Sequence, residues 1–304
     1  MKHLKTLQCI DDVASSGSIR RSAERLSITP SALTRRIQDF EAELGTPVFE
    51  RMPQGMRLSA AGELVLRHIR AQISDFERLR SQIADLSGIR RGHVAIASSQ
   101  AFAHDLIPHE IAAYRAQHGL VSFSVLVRDH IHAVEAVAAF EADIALVIAP
   151  PPAPEFQPLL VISQPLCALM NKDHPLAAAR TLRLRECLQY PIAMPGPSLA
   201  IRHLLQGAIV RAALPVNTVV ESDSFEVLRS YAGSEQVISF QIRPGLPRAN
   251  SNLVAREIDQ RDMPLTQLVL GQLRGRSLSV AASKFVDQIS GSLHARYGDR
   301  GRPD

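Results

Sequence analysis

Between Thr29 and Gly45 the chain has little choice of structure. "TPSALTRRIQDFEAELG" carries Leu33, Ile37, Phe40 and Leu44 at spacings of four, three and four, the period of an α-helix with one buried face. Thr29 is a fitting N-cap, Pro30 stands at the first helical position, where a missing N–H costs nothing, and Gly45 supplies the stop. Such a stripe needs something to pack against, and the preceding residues provide it. Leu7, Ile10, Val13 and Ala14 share a helical face, Gly17 breaks that helix, and Ser18 caps the next, from which Ile19, Ala23 and Leu26 face inward. Three short amphipathic helices in succession predict a small bundle.

With the stripe turned to the core, Ser31, Thr34, Arg35 and Gln38 project from the other side of the third helix, near its N-terminal half. That is where the recognition helix of a helix-turn-helix meets base edges in the major groove. Hydroxyl and guanidinium groups there can read base donors and acceptors, Arg toward guanine in particular. Arg20, Arg21 and Arg36 are expected at phosphates, which position a protein without reading sequence. "VFERMPQGMRLS" fits a two-strand wing with a Pro-Gln-Gly turn, placing Arg51 and Arg57 beside the duplex backbone. The pattern alone also admits a plainer reading, a three-helix bundle with a polar surface.

Charge supports a polyanion partner only once it is divided along the chain. Of 34 Lys plus Arg and 30 Asp plus Glu, residues 1–92 hold 15 and 11, leaving 19 and 19 for a neutral remainder. With 46% hydrophobic and 21% charged residues the chain of 304 is globular and long enough for two or three domains. The first stretch has no apolar core of signal-peptide length, and no later apolar run approaches a membrane span. Three cysteines, Cys9, Cys167 and Cys187, lack metal-ligand spacing, and their odd number argues against a disulfide framework. The expected location is the reducing cytoplasm.

The stretch "VASSGSIRRSAERLSITPSALTRRIQDFEAELGTPVFERMPQGMRLSAAGE" resembles the N-terminal winged helix-turn-helix of the LysR-type transcriptional regulators. The likeness rests on Gly17-Ser18, Ala23, Leu26, the Pro-Ser-Ala-Leu-Thr-Arg core, Ile37, Glu41, Leu44-Gly45, Phe49-Glu50-Arg51, Leu58-Ser59 and Ala61-Gly62. Two positions depart from the family pattern: Thr29 stands where Gln is usual, and Ser22 replaces the first of an Ala pair. The resemblance implies base and phosphate contacts at Thr29, Pro30, Ser31, Thr34 and Arg35, with Arg51 and Arg57 in the wing region. The residues expected at DNA are therefore Ser18, Arg20, Arg21, Thr29, Pro30, Ser31, Thr34, Arg35, Arg36, Gln38, Arg51 and Arg57.

From Ser59 to near Gly88 one long helix is expected, with Val65, Ile69, Ile73, Phe76, Leu79, Ile83 and Leu86 recurring at threes and fours. That seam suits pairing between two chains, or packing against the chain's own body. The family resemblance favours a homodimer through this helix. "SGIRRG" (Ser87 to Gly92) reads as a hinge. Strand and helix patterns then alternate: "HVAIAS", a helix around Leu106 to Tyr114, "VSFSVLV", a helix from about His132 to Phe140, "DIALVIA", and after "PPPAP" a second such set. Alternation of this kind argues for parallel sheets covered by helices. The region resembles the family's effector-binding domain through Ile107-Pro108, Glu141 to Ile144, Cys167 to Met170, "DHPLA", Ser224-Phe225 and Phe285.

The expected fold is thus mixed: an all-α winged helix-turn-helix over residues 1–58, a linker helix over 59–89, and over 92–300 an α/β two-lobed periplasmic-binding-protein-like domain. Lobe I is expected at about 92–162 plus 266–300, lobe II at about 163–265. A small effector would sit between the lobes, near strand ends and helix N-termini. Ser98, Ser99, Gln100, Ser198 and Arg202, with Arg128 a weaker candidate, would suit a carboxylate or another small anion. Capping serines and a solvated Arg are the plainer reading of the same residues.

Eleven histidines raise the question of catalysis or metal, but no pair has zinc-site spacing, and His130 and His132 read as surface residues. "PGPSLA" lacks the Gly-x-Ser-x-Gly of a nucleophile elbow, and no phosphate-binding glycine loop occurs. No catalytic residues, metal or cofactor are expected. The expected function is a DNA-binding regulator that senses a small organic acid or other anion. A regulator with a ligand-independent body is the alternative, and a small-molecule enzyme is more remote. The expected partners are operator DNA, an effector, further copies of the chain up to a tetramer, and RNA polymerase.

Overall fold

The computed structural model describes residues 2–53, 55–86, 91–246 and 252–298. They form two compact units divided near residue 90.

The first unit comprises α1 (Lys2–Ser16), α2 (Ile19–Arg25), α3 (Pro30–Leu44), the antiparallel strands β1 (Phe49–Met52) and β2 (Gly55–Leu58), and α4 (Ala60–Leu86). Leu7, Ile10 and Val13 of α1, Ala23 of α2, Leu33 and Ile37 of α3, Val48, Phe49 and Ile69 make one apolar core. The expected caps are in place: Ser18 Oγ accepts from Arg21 N–H, Thr29 Oγ1 accepts from Ala32 N–H, and Gly45 takes the left-handed conformation. Ser22, buried where an alanine is usual in the family, keeps its hydroxyl satisfied at 2.7 Å from Ser16 Oγ. Glu41 Oε1 accepts from the N–H groups of Val48 and Phe49, tying the end of α3 to the start of the wing. Gly55 lies so close to the α1–α2 turn that a Cβ would come within 2.4 Å of the Gly17 carbonyl, which Met56 N–H reaches at 2.9 Å. Gln54, in the expected wing turn, lies outside the described residues.

Two details of the expected packing are corrected. Leu44 is 42% exposed, because α3 outruns the core and the buried stripe ends at Phe40. The seam along α4 is also divided. Leu66 and Ile69 are buried, with Val65 and Ile73 packed on the same core, whereas Leu79 and Ile83 are 49% and 55% exposed. The first half of the linker helix therefore belongs to its own domain. The expected hinge at Ser87 to Gly92 falls mostly on residues 87–90, and the side chain of Leu86 on 84–86, outside the described residues.

The docking of α4 depends on close backbone approach. Ser59 Oγ donates to the Pro47 carbonyl and accepts from Gly62 N–H, and a Cβ at Gly62 would lie 2.0 Å from the Val48 carbonyl oxygen. Neither backbone can yield cheaply. Gly62→Ala is expected to destabilise this unit by about 1–3 kcal/mol, the range for an overpacked site, read as a lower denaturation midpoint of the N-terminal unit with the body's transition unchanged.

The second unit begins with β3 (Gly92–Ser99), α5 (Gln100–Ala103), α6 (Leu106–Gln117), β4 (Val121–Arg128), α7 (His130–Ala138), β5 (Ile144–Ile148) and β6 (Phe156–Gln164). After Pro165 the chain forms a second lobe from β7 (Leu166–Asn171), β8 (Thr181–Leu182), α8 (Leu184–Cys187), β9 (Ile192–Pro195), α9 (Ala200–Ala212), β10 (Thr218–Ser222), α10 (Phe225–Ser234), β11 (Ser239–Ile242) and β12 (Leu253–Ile258). It then returns to the first lobe as β13 (Thr266–Leu273) and ends in α11 (Val280–Tyr297). Lobe I is a five-stranded sheet of order β4-β3-β5-β13-β6, and lobe II carries β11-β7-β12-β8 with the pair β10-β9 beside it.

The expectation of parallel sheets holds only in part. β3 runs parallel to β4 and β5, and β9 to β10, but β13 is antiparallel to β5 and β6, and β7 to β11 and β12. The cause is the route of the chain. It leaves lobe I through β6–β7 and comes back through β12–β13, and an outgoing and a returning strand lie side by side in opposite directions.

In lobe II, His174 is buried, its Nδ1 accepts from Leu176 N–H at 3.1 Å, and its ring lies 4.5 Å from that of Tyr190. Burial pushes its imidazole below the usual histidine range. The folded state thus prefers the neutral ring. Its contribution to stability is complete above the unfolded value of about 6.5 and is lost as pH falls through the depressed folded value. His174→Gln is expected to show a smaller loss of thermal stability between pH 7 and 5 than the wild type.

Candidate nucleic-acid interface and effector cleft

Buried Leu33 and Ile37 fix the rotation of α3, and that rotation sets which side chains face out. Ser31, Arg35 and Gln38 are exposed on the far side, and Thr34 is half-buried at its edge. Thr34 Oγ1 donates to the Pro30 carbonyl at 2.9 Å, leaving its methyl and a lone pair for a base edge. Thr29 Oγ1 lies 3.2 Å from Ser31 Oγ, so two hydroxyls sit together at the N-terminus of α3 beside exposed Pro30. A groove of about 400 Å³ runs between α3, the start of α2 and the wing, with Ser18, Arg20, Thr34, Gln38 and Arg51 on its walls.

The expected phosphate contacts are sorted by their partners. Arg20 is exposed and pairs only loosely, at 3.4 Å, with Glu24 on its own helix. Arg21 is exposed but its Nη2 donates to the Ser16 carbonyl at 2.5 Å. Arg36 is the correction: it is half-buried and its guanidinium turns back onto α1, with Nη1 3.7 Å from Cys9 Sγ. About 100° per residue puts it on the flank of the buried stripe, between core and solvent. The wing also separates its two arginines. Cross-strand partners are Arg51 with Met56 and Glu50 with Arg57, and successive residues of a strand point to opposite faces. Arg51 faces the groove, and Arg57 shares the other face with Glu50.

In the body, four of the six expected effector residues, Ser99, Gln100, Arg128 and Ser198, line one cleft between the lobes. Ile148, Leu199 and Phe225 form its apolar walls, and Asp129 and His130 complete it. The cleft encloses about 10 Å³, of the order of one water. Gln100 Oε1 accepts from Phe225 N–H at 2.8 Å, a bond from lobe I to the N-terminus of α10 in lobe II. Ser198 Oγ donates to Asp223 Oδ1 at 2.8 Å, so its hydrogen is committed.

Two candidates are displaced from the cleft. Ser98 is fully buried and its hydroxyl donates to the Ser99 carbonyl, because alternation along β3 turns it into the sheet's covered face. Arg202 is held by Glu221 at 2.7 Å and the Pro195 carbonyl at 3.0 Å, an ion pair across α9 and β10 that spends its guanidinium. His130, read from sequence as a surface residue, is the corresponding omission. Asp129 caps α7 by accepting from the N–H groups of Ile131 and His132, which starts the helix at His130 rather than His132 and sets that imidazole in the cleft. Burial opposes ionisation of Asp129, but these bonds and the His132 ring hold its carboxyl below the usual range, and the same contact raises His132. An Asp directly before an apolar-periodic run is the signal that would have placed His130.

A winged helix-turn-helix followed by a two-lobed α/β body with a cleft is the build of a ligand-responsive transcriptional regulator. The family profile described as "Bacterial regulatory helix-turn-helix protein, lysR family" matches residues 4–63, and "LysR substrate binding domain" matches 87–293. The chain belongs to the LysR family: it is a DNA-binding transcriptional regulator with an effector-binding domain, not an enzyme. It is 22% identical to the HTH-type transcriptional activator CmpR of Synechocystis, over 91% of each chain. The fold is shared with a full-length, singly substituted OxyR from Pseudomonas aeruginosa, at TM-score 0.73 and 18% identity over 99% of this chain and 98% of that one. It is shared too with the regulatory domain of Synechocystis CcmR in complex with 2-PG, at TM-score 0.56 and 21% identity over 69% of this chain and 99% of that one. Among the described residues no helix is long and apolar enough to cross a membrane.

Arg35 stands exposed on α3, and Arg51 lines the groove from the wing. Arg35→Ala is expected to weaken operator binding by about 1–3 kcal/mol and to relax sequence choice at one position. Arg51→Ala is expected to weaken operator and random DNA alike and to lower the salt slope of binding by about one. Mobility-shift titrations on both DNAs at several salt concentrations check each outcome.

Proposed function

We propose that a dimer of this chain reads an operator, with Thr29, Pro30, Ser31, Thr34, Arg35 and Gln38 at base edges and Ser18, Arg20, Arg21, Arg51 and Arg57 toward phosphates. The observation that carries this reading is the open face of α3, where Arg35 and Gln38 stand exposed opposite buried Leu33 and Ile37. The proposed parts are a DNA-binding domain over 1–58, a linker helix over 59–89 and an effector domain over 92–300. Exposed Leu64, Leu79 and Ile83 along α4 support pairing between two copies, which sets two recognition helices at half-sites one or more turns apart. Two such dimers form the assembly that acts on DNA in the cytoplasm and meets RNA polymerase there.

The effector is a small organic acid or similar anion, held in the cleft by Ser99, Gln100 and Arg128. The 2-PG held by the regulatory domain of CcmR supports an anionic ligand in a body of this fold. With room for about one water, the cleft admits an effector only as the lobes part, so the ligand selects a lobe separation rather than filling a fixed hole. That change alters how two dimers sit against each other and hence the spacing of the DNA-binding pairs and the bend between them.

Protection mapping of the adjoining intergenic DNA with candidate metabolites tests this reading. A saturating effector is expected to shorten or lengthen the footprint; a footprint unchanged by every metabolite would favour a ligand-independent body. The double variant Leu79→Asp, Ile83→Asp is expected to sediment as a smaller species and to lose simultaneous protection of two half-sites.

A further inference from the structure

The cleft in the body contains two buried polar atoms with no hydrogen-bond partner, Ser99 Oγ and His130 Nδ1. Ser99 is only 7% exposed, so water does not readily satisfy it. The carboxylates nearby are already engaged. Asp129 takes the N–H groups of Ile131 and His132 on one oxygen and the His132 ring on the other. On lobe II, Asp223 accepts from Ser198, Glu221 holds Arg202, and Glu226 of α10 is paired with Arg229. The groups left uncommitted are a hydroxyl, a guanidinium and imidazoles, which donate from both nitrogens once protonated. Arg128 donates to the Val127 carbonyl and, among the described residues, has no carboxylate partner. His203 of α9 brings its ring centroid to 6.0 Å from that of His130, one imidazole from each lobe. An unsatisfied hydroxyl, an unsatisfied ring nitrogen and a guanidinium with no carboxylate partner around one cavity suit an anionic group.

We propose that Ser99 and His130 grip the acidic group of the effector, a carboxylate or a phosphate, and that His130 takes up a proton from solvent as that group docks. The proposal rests on the cleft being the effector site. In the closed cleft burial holds the imidazole below the usual histidine range, with Asp129 opposing and His203 adding to the effect. The ring is then neutral near pH 7. A docked anion supplies the missing counter-charge, so both ring nitrogens carry hydrogen and Nδ1–H donates to the anion beside the Ser99 hydroxyl. One proton moves from water to His130 for each anion bound. Affinity for an anion of fixed charge therefore rises as pH falls through the histidine range, by at most about tenfold per pH unit for one linked proton.

Sulfate and acetate, both of constant charge between pH 6 and 8, are the probes. Titration calorimetry of the full-length protein in buffers of different ionisation enthalpy is expected to show binding that tightens toward pH 6 with proton uptake. Binding of sulfate alone assigns a tetrahedral phosphate-like group, and binding of acetate alone a carboxylate. His130→Gln, which keeps a donor but does not titrate, is expected to bind without pH dependence, and Ser99→Ala to weaken binding at every pH. A second readout is taken on the wild type: the His130 ring proton resonance, assigned by its loss in His130→Gln, is expected to titrate at higher pH when the anion is present. No binding of either anion at pH 6, an unmoved His130 titration, or pH dependence surviving in His130→Gln overturns the proposal. If it is overturned while a metabolite still alters the operator footprint, the sensing role of the body stands and only this assignment falls.

Discussion

Burial of Leu33 and Ile37 against α1 is the contact on which the exposed face of α3 depends. A helix has no intrinsic front. Rotating α3 by one residue, about 100°, would carry Arg35 toward the core and bring Arg36 out. Two apolar side chains thus hold Arg35 and Gln38 outward, and Glu41 passes the setting on by binding the first backbone N–H groups of the wing. Gly55 against Gly17 closes the same circuit from the other end of the wing. Buried side chains thus decide which others stand open to solvent.

The body solves a different problem, how to keep two lobes together around a cleft with polar walls. Apolar residues from both lobes belong to one continuous core, including Ile96, Leu146, Met194 and Phe240. Across the mouth, Gln100 gives its carbonyl oxygen to the first turn of α10. Ion pairs take away most of the nearby charge: Arg202 with Glu221, and Asp129 with His132. Two buried polar atoms without a partner, Ser99 Oγ and His130 Nδ1, lie on the walls of that cleft.

Much of this is readable from residue order, and the misses share a cause. The helices of the first unit follow from apolar spacing and capping residues, which are local. Spacing misplaces Leu44 and Arg36 because it gives the direction of a side chain but not how far the neighbouring core extends. The parallel-sheet expectation fails at β6, β12 and β13. "FQPLLVISQ" carries a proline, Pro158, at its third position, which an edge strand tolerates, and the strand follows a proline-rich stretch that hides its start. In the cleft between the lobes, Ser99, Gln100, Arg128 and Ser198 are legible as polar residues at strand and helix junctions. Arg202 is not excluded in advance, since its partner Glu221 lies on a strand whose neighbour only the fold defines. His130 is lost to a helix start misplaced by two residues.

The chain passes between the lobes twice, once at Pro165 and once between Asp259 and Thr266. Two tethers side by side act as a door hinge does: they resist sliding and leave swinging as the soft motion. A body joined in this way has an angle as its softest coordinate, and an angle between two arms grows into a displacement with distance from the pivot.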